Sequence, residues 1–147
     1  MTTLAYRAGV LAADSALTTS SEAGGDRLSE CVKLHRKRSA VIGLYGESGP
    51  DLAFLEWYGS RRRPPQELQT ADFGAVVLTP RGLFHYDGWC RAEILSGEFY
   101  AWGSGAKAAL GALWAGCSAQ RAVEIACQVD PFSRPPVLAW TLEAKRS

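Results

Sequence analysis

Residues 2–14 read TTLAYRAGVLAAD, and the folding of this stretch decides how the rest of the chain is read. Thr2 to Tyr6 is β-prone, Arg7-Ala8-Gly9 reads as a turn, and Val10 to Ala13 is a second apolar strand with Asp14 at its end. The first residues of a chain are ordinarily frayed and polar. These are predicted to form a hairpin built into a sheet, which calls for either a packing or a chemical reason. The separation from Thr2 to Asp14 is even, and by strand alternation the two share a face while Thr3 turns to the other. Such a hairpin keeps every side chain on its face when it is shortened by whole pairs.

Working outward, residues 15–30 are polar and glycine-containing and read as a loop. CVKLHR and SAVIGLYG are predicted strands joined by a turn at Lys37-Arg38. A helix is expected from Asp51, which caps it, with Leu52, Phe54, Leu55 and Tyr58 on its apolar face. The prolines of RRRPPQELQT stop that helix and prevent a long second one. FGAVVLTPRGLFHYDG is a hairpin, and EFYAWGSG is another strand. AKAALGALWAG is a helix closed by Gly116, and Ser118 caps the helix AQRAVEIACQV. A last strand, VLAWTLEAK, follows DPFSRPP. Strands interrupted by blocks of helix indicate an α+β architecture.

The bulk properties bound the function. A chain of 147 residues is expected to form one domain, 1–147, able to bury a core without metal or disulfide. Its net charge of +1 gives no bulk reason for nucleic-acid or membrane binding. The basic residues cluster in KLHRKR and RRRPP, and the latter reads as a solvated loop or, alternatively, as a contact with a partner or substrate. The four cysteines lack CxxC spacing, and the N-terminus lacks the basic and long apolar segments of a signal peptide. Free thiols and a cytoplasmic location are therefore expected. With two histidines in the chain, neither a metal site nor a cofactor is expected.

Removal of Met1 is expected because the next residue is small. It would leave Thr2 with a free α-amine beside its own hydroxyl. A threonine hydroxyl is a poor nucleophile until a base takes its proton, and an N-terminal amine is suited to that task. Its reference pKa of about 7.7–8.0, against about 10.4 for lysine, leaves a large neutral fraction near neutral pH.

Five segments in order carry a resemblance: TTLAYR…GVLAADSALT, CVKLHR, VIGLYGESGPD, AWGSGAKAALGAL and AVEIACQVDPFS. The chain resembles the proteasome β-subunit family, which includes the bacterial HslV peptidase. The resemblance implies a four-layer αββα N-terminal-nucleophile hydrolase sandwich, here with a shortened first helical layer. It implies a threonine peptidase with Thr2 as nucleophile, Lys33 as a buried cation, and Asp14 as its partner. Ser104, Asp130 and Ser133 would form a hydrogen-bonding set near the N-terminal amine. A backbone N–H at Gly46, or by length at Glu47, would meet the oxyanion. It implies peptide or unfolded-protein substrates, a homo-oligomeric ring and an ATP-dependent unfoldase as partner. A small-molecule amidase, or a degenerate assembly subunit, stands as the alternative.

Each residue also has a plainer reading. Asp14 and Gly46 are common turn residues, Ser104 is a helix cap, and Asp130 and Ser133 stop a helix before Pro135-Pro136. A lysine on a strand ordinarily points to water, and one facing inward needs a carboxylate. Cys31, beside Lys33, reads as a buried inert thiol rather than an activated one. Trp57, Trp102, Trp114 and Trp140 are expected in the core or in a subunit interface.

Overall fold

The first hairpin is tight. Strand β1 (Thr3–Arg7) returns into β2 (Val10–Ala13) through Ala8 and Gly9 alone, both with positive φ. Two left-handed residues give the turn whose twist matches that of paired strands. The computed structural model describes the backbone of residues 1–21, 25–46 and 50–142, and the side chains of these apart from 17–30. Residues 15–30 are not the expected loop. They contain β3 (Ala16–Ser21) and β4 (Gly25–Glu30), an antiparallel ribbon that joins neither main sheet. Alternation among Thr and Ser carries no apolar face, so the strand signal is invisible to a reading based on hydrophobic periodicity.

Then follow β5 (Leu34–Lys37), β6 (Ala40–Gly46), the helix α1 (Asp51–Trp57) and the four-residue α2 (Gln66–Gln69). The strands β7 (Phe73–Thr79), β8 (Gly82–Tyr86), β9 (Ala92–Leu95) and β10 (Phe99–Gly103) precede two helices, α3 (Ala106–Trp114) and α4 (Ala119–Val129). The short β11 (Leu138–Trp140) is the last described element, and residues 143–145 of the expected strand VLAWTLEAK lie outside the described residues. Strand β9 was not expected: it is four residues long, largely exposed, and lies at a sheet edge. The N-terminal residue of α1 also differs from expectation. Pro50 precedes the helix, Asp51 is its first residue, and no side chain caps it. Leu52 does not join the apolar face and is exposed. The Ser118 hydroxyl does cap α4, accepting the Arg121 amide at 3.1 Å.

Two antiparallel sheets result, in the orders β10-β1-β2-β11 and β5-β6-β7-β8-β9. Leu4, Leu11 and Ala13 of the first share a buried cluster with Leu34, Val41, Val76, Leu78 and Leu83 of the second. The alternate residues Ala5 and Ala12 pack instead against α3 and α4 through Leu113, Val123 and Ala126. On the second sheet, Ile42, Leu44, Ala75 and Val77 pack with Phe54 of α1 and Leu68 of α2. The central strands β1, β2, β6 and β7 are thus buried on both faces, which suits the near-continuous apolar runs LAY, VLAA and AVVL. The structure is α+β, and among the described residues no helix is long and apolar enough to cross a membrane.

The tryptophans divide. Trp57, Trp102 and Trp140 are partly buried, whereas Trp114 is 75% exposed despite an edge-on contact with Phe99. Phe54 is the anchor of the thinner helical face: fully buried, it meets the rings of Trp57, Tyr58, Phe73 and Tyr86. Phe54→Ala is expected to cost about 3–5 kcal/mol, because a short helix cannot collapse into so large a cavity. Urea denaturation followed by tryptophan fluorescence checks this.

Candidate active site

Two polar clusters meet where β1 begins, and both are made by residues distant in sequence. The first is ionic. Asp14 is fully buried at the end of β2, and Lys33 is 5% exposed just before β5. The Leu44 amide donates to the Lys33 carbonyl at 3.1 Å, which continues the β5–β6 ladder and fixes the lysine backbone. Lys33 Nζ donates to Asp14 Oδ1 at 2.8 Å and to the Met1 carbonyl at 2.7 Å. The Thr3 amide donates to Asp14 Oδ1 at 2.9 Å, and the amides of Ala16 and Arg134 donate to Oδ2 at 3.0 and 3.1 Å. A buried carboxylate is tolerated when its lone pairs are filled in this way.

The second cluster is a hydroxyl relay. Ser104 and Ser133 both donate to Asp130 Oδ2 at 2.6 Å. An ionised carboxylate only accepts, so the Ser133 proton is committed to Asp130. The Thr3 hydroxyl, 2.6 Å from Ser133 Oγ, therefore donates to it, and itself accepts the Gly105 amide at 3.0 Å. Burial pushes the Asp130 pKa up. The hydrogen bonds from Ser104, Ser133 and the Phe132 amide, with the nearby chain amino-terminus, outweigh it and hold the pKa below the usual carboxylate range.

Thr2 sits between the clusters, 6% exposed. The Ser104 amide donates to its carbonyl at 2.8 Å. Gly103, with φ 93°, makes that approach feasible, since a Cβ there would stand 1.7 Å from the Thr2 oxygen. The hairpin register corrects the parity expectation. Leu4 pairs with Ala13 and the Asp14 amide donates to the Thr3 carbonyl, so Thr3, not Thr2, lies opposite Asp14. Across a two-residue turn, partners that share a face have odd separations; evenness applies only within one strand. Thr2 falls on the alternate face, that of Leu4 and the inter-sheet cluster. Among the described residues no hydrogen bond reaches its hydroxyl.

The structure thus brings Asp14 and Lys33 together at the Met1–Thr2 peptide, and Ser104, Asp130 and Ser133 together beside it. Gly46 ends β6 with φ 95°, and a Cβ there would meet the Asp72 carbonyl at 2.0 Å. That close approach accounts for the glycine without reference to Thr2. Glu47, the other oxyanion position, lies outside the described residues. Burial pushes the Cys31 thiol up against the pull of Lys33, so it is protonated, as an inert thiol should be.

One neighbour was missed. Burial pushes the Asp51 carboxyl up to about 6, although the Lys33 charge pulls it down. Sequence reading spent this residue on a helix cap; an acid within a turn's length of Gly46 was the available signal.

No protein-family model matches the chain, and no curated protein sequence does. Solved structures do. BPH from Thiobacillus denitrificans matches at 21% identity and a TM-score of 0.68, over 97% of each chain. The same protein in complex with epoxomicin matches at 20% identity and 0.67, over 97% of this chain and 99% of that one. Eukaryotic HslV from Trypanosoma brucei matches at 18% identity and 0.69, with the same coverage. The chain has the fold of these proteasome-like structures along nearly its whole length.

Lys33→Ala is expected to cost about 3–5 kcal/mol in urea denaturation at neutral pH, because Asp14 keeps its amide donors but loses its counter-ion. Asp51 makes a pH-dependent prediction of opposite sign to an ordinary salt-bridged acid. Its raised pKa means the folded state holds the proton more tightly, so its contribution falls as pH rises from about 4 through about 6. Asp51→Asn should raise Tm relative to the parent at about pH 8, keep about half of that advantage at about pH 5 and lose it below about pH 4, measured by scanning fluorimetry.

Proposed function

We propose that this chain is a threonine-type peptidase whose nucleophile is Thr2, exposed by removal of Met1. The observation that carries the reading is the Lys33 ammonium, held by Asp14 against the carbonyl of the very peptide bond that precedes Thr2. When Met1 leaves, that carbonyl leaves with it. Lys33 then has a free donor next to the new terminus, and the α-amine of Thr2 takes the place of an amide.

The chemistry follows from the groups in place. The Thr2 α-amine accepts the hydroxyl proton as Oγ attacks a peptide carbonyl. Lys33 stays charged on Asp14 and favours the developing alkoxide. The tetrahedral oxyanion takes a backbone N–H at Gly46 or Glu47, an interaction worth about 2.7–4 kcal/mol per donor. Collapse expels the leaving amine, which takes the proton back from the α-amine, and leaves an ester on Thr2. Water hydrolyses the ester and restores the hydroxyl. Asp130, through Ser104 and Ser133, positions the Thr2 backbone and biases the proton on the α-amine.

In this reading the chain is a single four-layer αββα domain, residues 1–147, with a first helical layer cut to α1 and α2. It works on peptides or unfolded proteins in the cytoplasm, as a homo-oligomeric ring that an ATP-dependent unfoldase feeds. Exposed Trp114 supports a subunit interface. The complex of the Thiobacillus denitrificans protein with epoxomicin makes that compound the natural probe.

Intact-mass spectrometry of the purified protein tests the proposal. The expected result is loss of Met1 and gain of one epoxomicin. Thr2→Ala should fold, take no epoxomicin, and hydrolyse a fluorogenic peptide at least about a thousandfold more slowly than the parent. Undiminished turnover by Thr2→Ala would sink the mechanism. A parent that keeps Met1 and takes no epoxomicin would make the chain a non-catalytic subunit.

A further inference from the structure

The chain opens on two threonines, and the proposed chemistry uses only the first. Thr3 is fully buried on β1, where valine would have the same shape and a strand preference at least as high. Burying a hydroxyl is costly unless it is hydrogen-bonded. This one has two partners. It accepts the Gly105 amide at 3.0 Å and donates to Ser133 Oγ at 2.6 Å, because the Ser133 proton is committed to Asp130. Gly105 precedes α3, and Ser133 follows α4. The approach is close: a Cβ at Gly105 would stand 2.2 Å from the Thr3 hydroxyl oxygen and 3.2 Å from that of Ser133. The Thr3 side chain therefore ties the start of β1 to the helical layer.

Such a tie matters most at a chain end, which frays unless it is held. Once Met1 is gone, Thr2 is joined to the protein through Thr3 alone, and its carbonyl takes the Ser104 amide. Thr3 is held on every side. Its amide donates to Asp14 Oδ1 at 2.9 Å, and its carbonyl accepts the Asp14 amide at 3.1 Å. Next to Ser133, the Arg134 amide donates to Asp14 Oδ2 at 3.1 Å, which closes a ring of hydrogen bonds from Asp14 through Thr3 and Ser133 back to Asp14. The backbone bonds set which residue of β1 meets Asp14. The side-chain bonds set how far the end of the strand stands from α3 and from the segment that carries Ser133.

We propose that Thr3 is a positioning residue for the peptidase reaction: its hydroxyl, bound between Gly105 and Ser133, holds the mature N-terminus so that Thr2 meets Lys33 on one side and the Asp130 cluster on the other. Thr3 touches neither the substrate nor the reacting atoms. Its side chain lies on the face of β1 opposite to that of Thr2. Its loss therefore displaces the nucleophile and leaves substrate contacts in place. The inference rests on Thr2 being the nucleophile.

Steady-state hydrolysis of a fluorogenic peptide by the full chain, and the rate of epoxomicin addition followed by intact mass, test it. Thr3→Val keeps the shape and loses both hydrogen bonds. Its kcat and its epoxomicin rate should fall at least about tenfold, since a displacement of about an ångström suffices for that. Its KM should stay within about twofold of the parent's. Thr3→Ser keeps the hydroxyl, loses a methyl group, and should retain at least about half of the parental kcat. A role in packing alone gives the reverse order, with valine near the parent and serine impaired. Each variant is assayed below its own Tm. Thr3→Cys, a weaker donor, should fall between the two, and it decides the matter if the valine variant does not fold: a kcat equal to the parent's would then overturn the inference. Parental kcat in Thr3→Val, or an equal loss in the valine and serine variants, would overturn it and leave the Thr2 chemistry standing. A parent that hydrolyses no peptide and takes no epoxomicin would overturn the peptidase reading and this inference with it.

Discussion

A lysine ammonium with almost no access to water organises this molecule. Withdrawing such a charge is costly, and the cost is offset only where the partner is close and its remaining lone pairs are filled. Asp14 meets both conditions. In doing so it draws amides from β1, from the start of β3 and from the segment after α4 onto one carboxylate. Four stretches of chain therefore converge on one ion pair. A hydrophobic pair of similar volume could replace its packing, but not its ability to specify where each backbone lies. The first sheet, the second sheet and the closing segment are thereby registered against each other at the point where the chain begins.

The second cluster complements the first. Asp130 gathers two serine hydroxyls and, through Ser133, the hydroxyl of Thr3. Thr3 thus has a structural task of its own: its amide serves one carboxylate and its side chain leads to the other. The two threonines at the start of the chain are not redundant. One is tied on every polar atom, and its neighbour has a hydroxyl that no described group engages. A tightly anchored residue beside one with an uncommitted hydroxyl is an arrangement in which the supporting groups fix the backbone and leave a side chain unencumbered.

Much of the fold was readable because its signals are local. A two-residue turn between apolar strands, a serine before an amphipathic helix and a glycine after one act within a few residues, and β1, β2, α3 and α4 fell where expected. The ribbon β3–β4 did not, since its alternation is polar against polar. Strand β9 failed for a related reason, as four exposed residues at an edge carry no buried face. The site is a different case. Thr3 and Ser133 meet across 130 positions of sequence, and no window of composition or periodicity encodes that. Asp14, Lys33, Ser104, Asp130 and Ser133 could be gathered only through a resemblance spanning the whole chain. The face of Thr2 was misjudged because parity was counted through a turn, and Asp51 because it was assigned a task that Pro50 leaves vacant.

The turn at Ala8-Gly9 has a consequence for the history of the gene. Removing a single codon from either arm of the first hairpin would swap the faces of every residue beyond it, sending Asp14 away from Lys33. Removing two, one from each arm, leaves every pairing in place. Natural variation in this hairpin should therefore come in steps of two codons, and a lineage with an odd change should show a bulge that absorbs it. The reading frame of the gene is thus subject to a second, structural frame with a period of two residues.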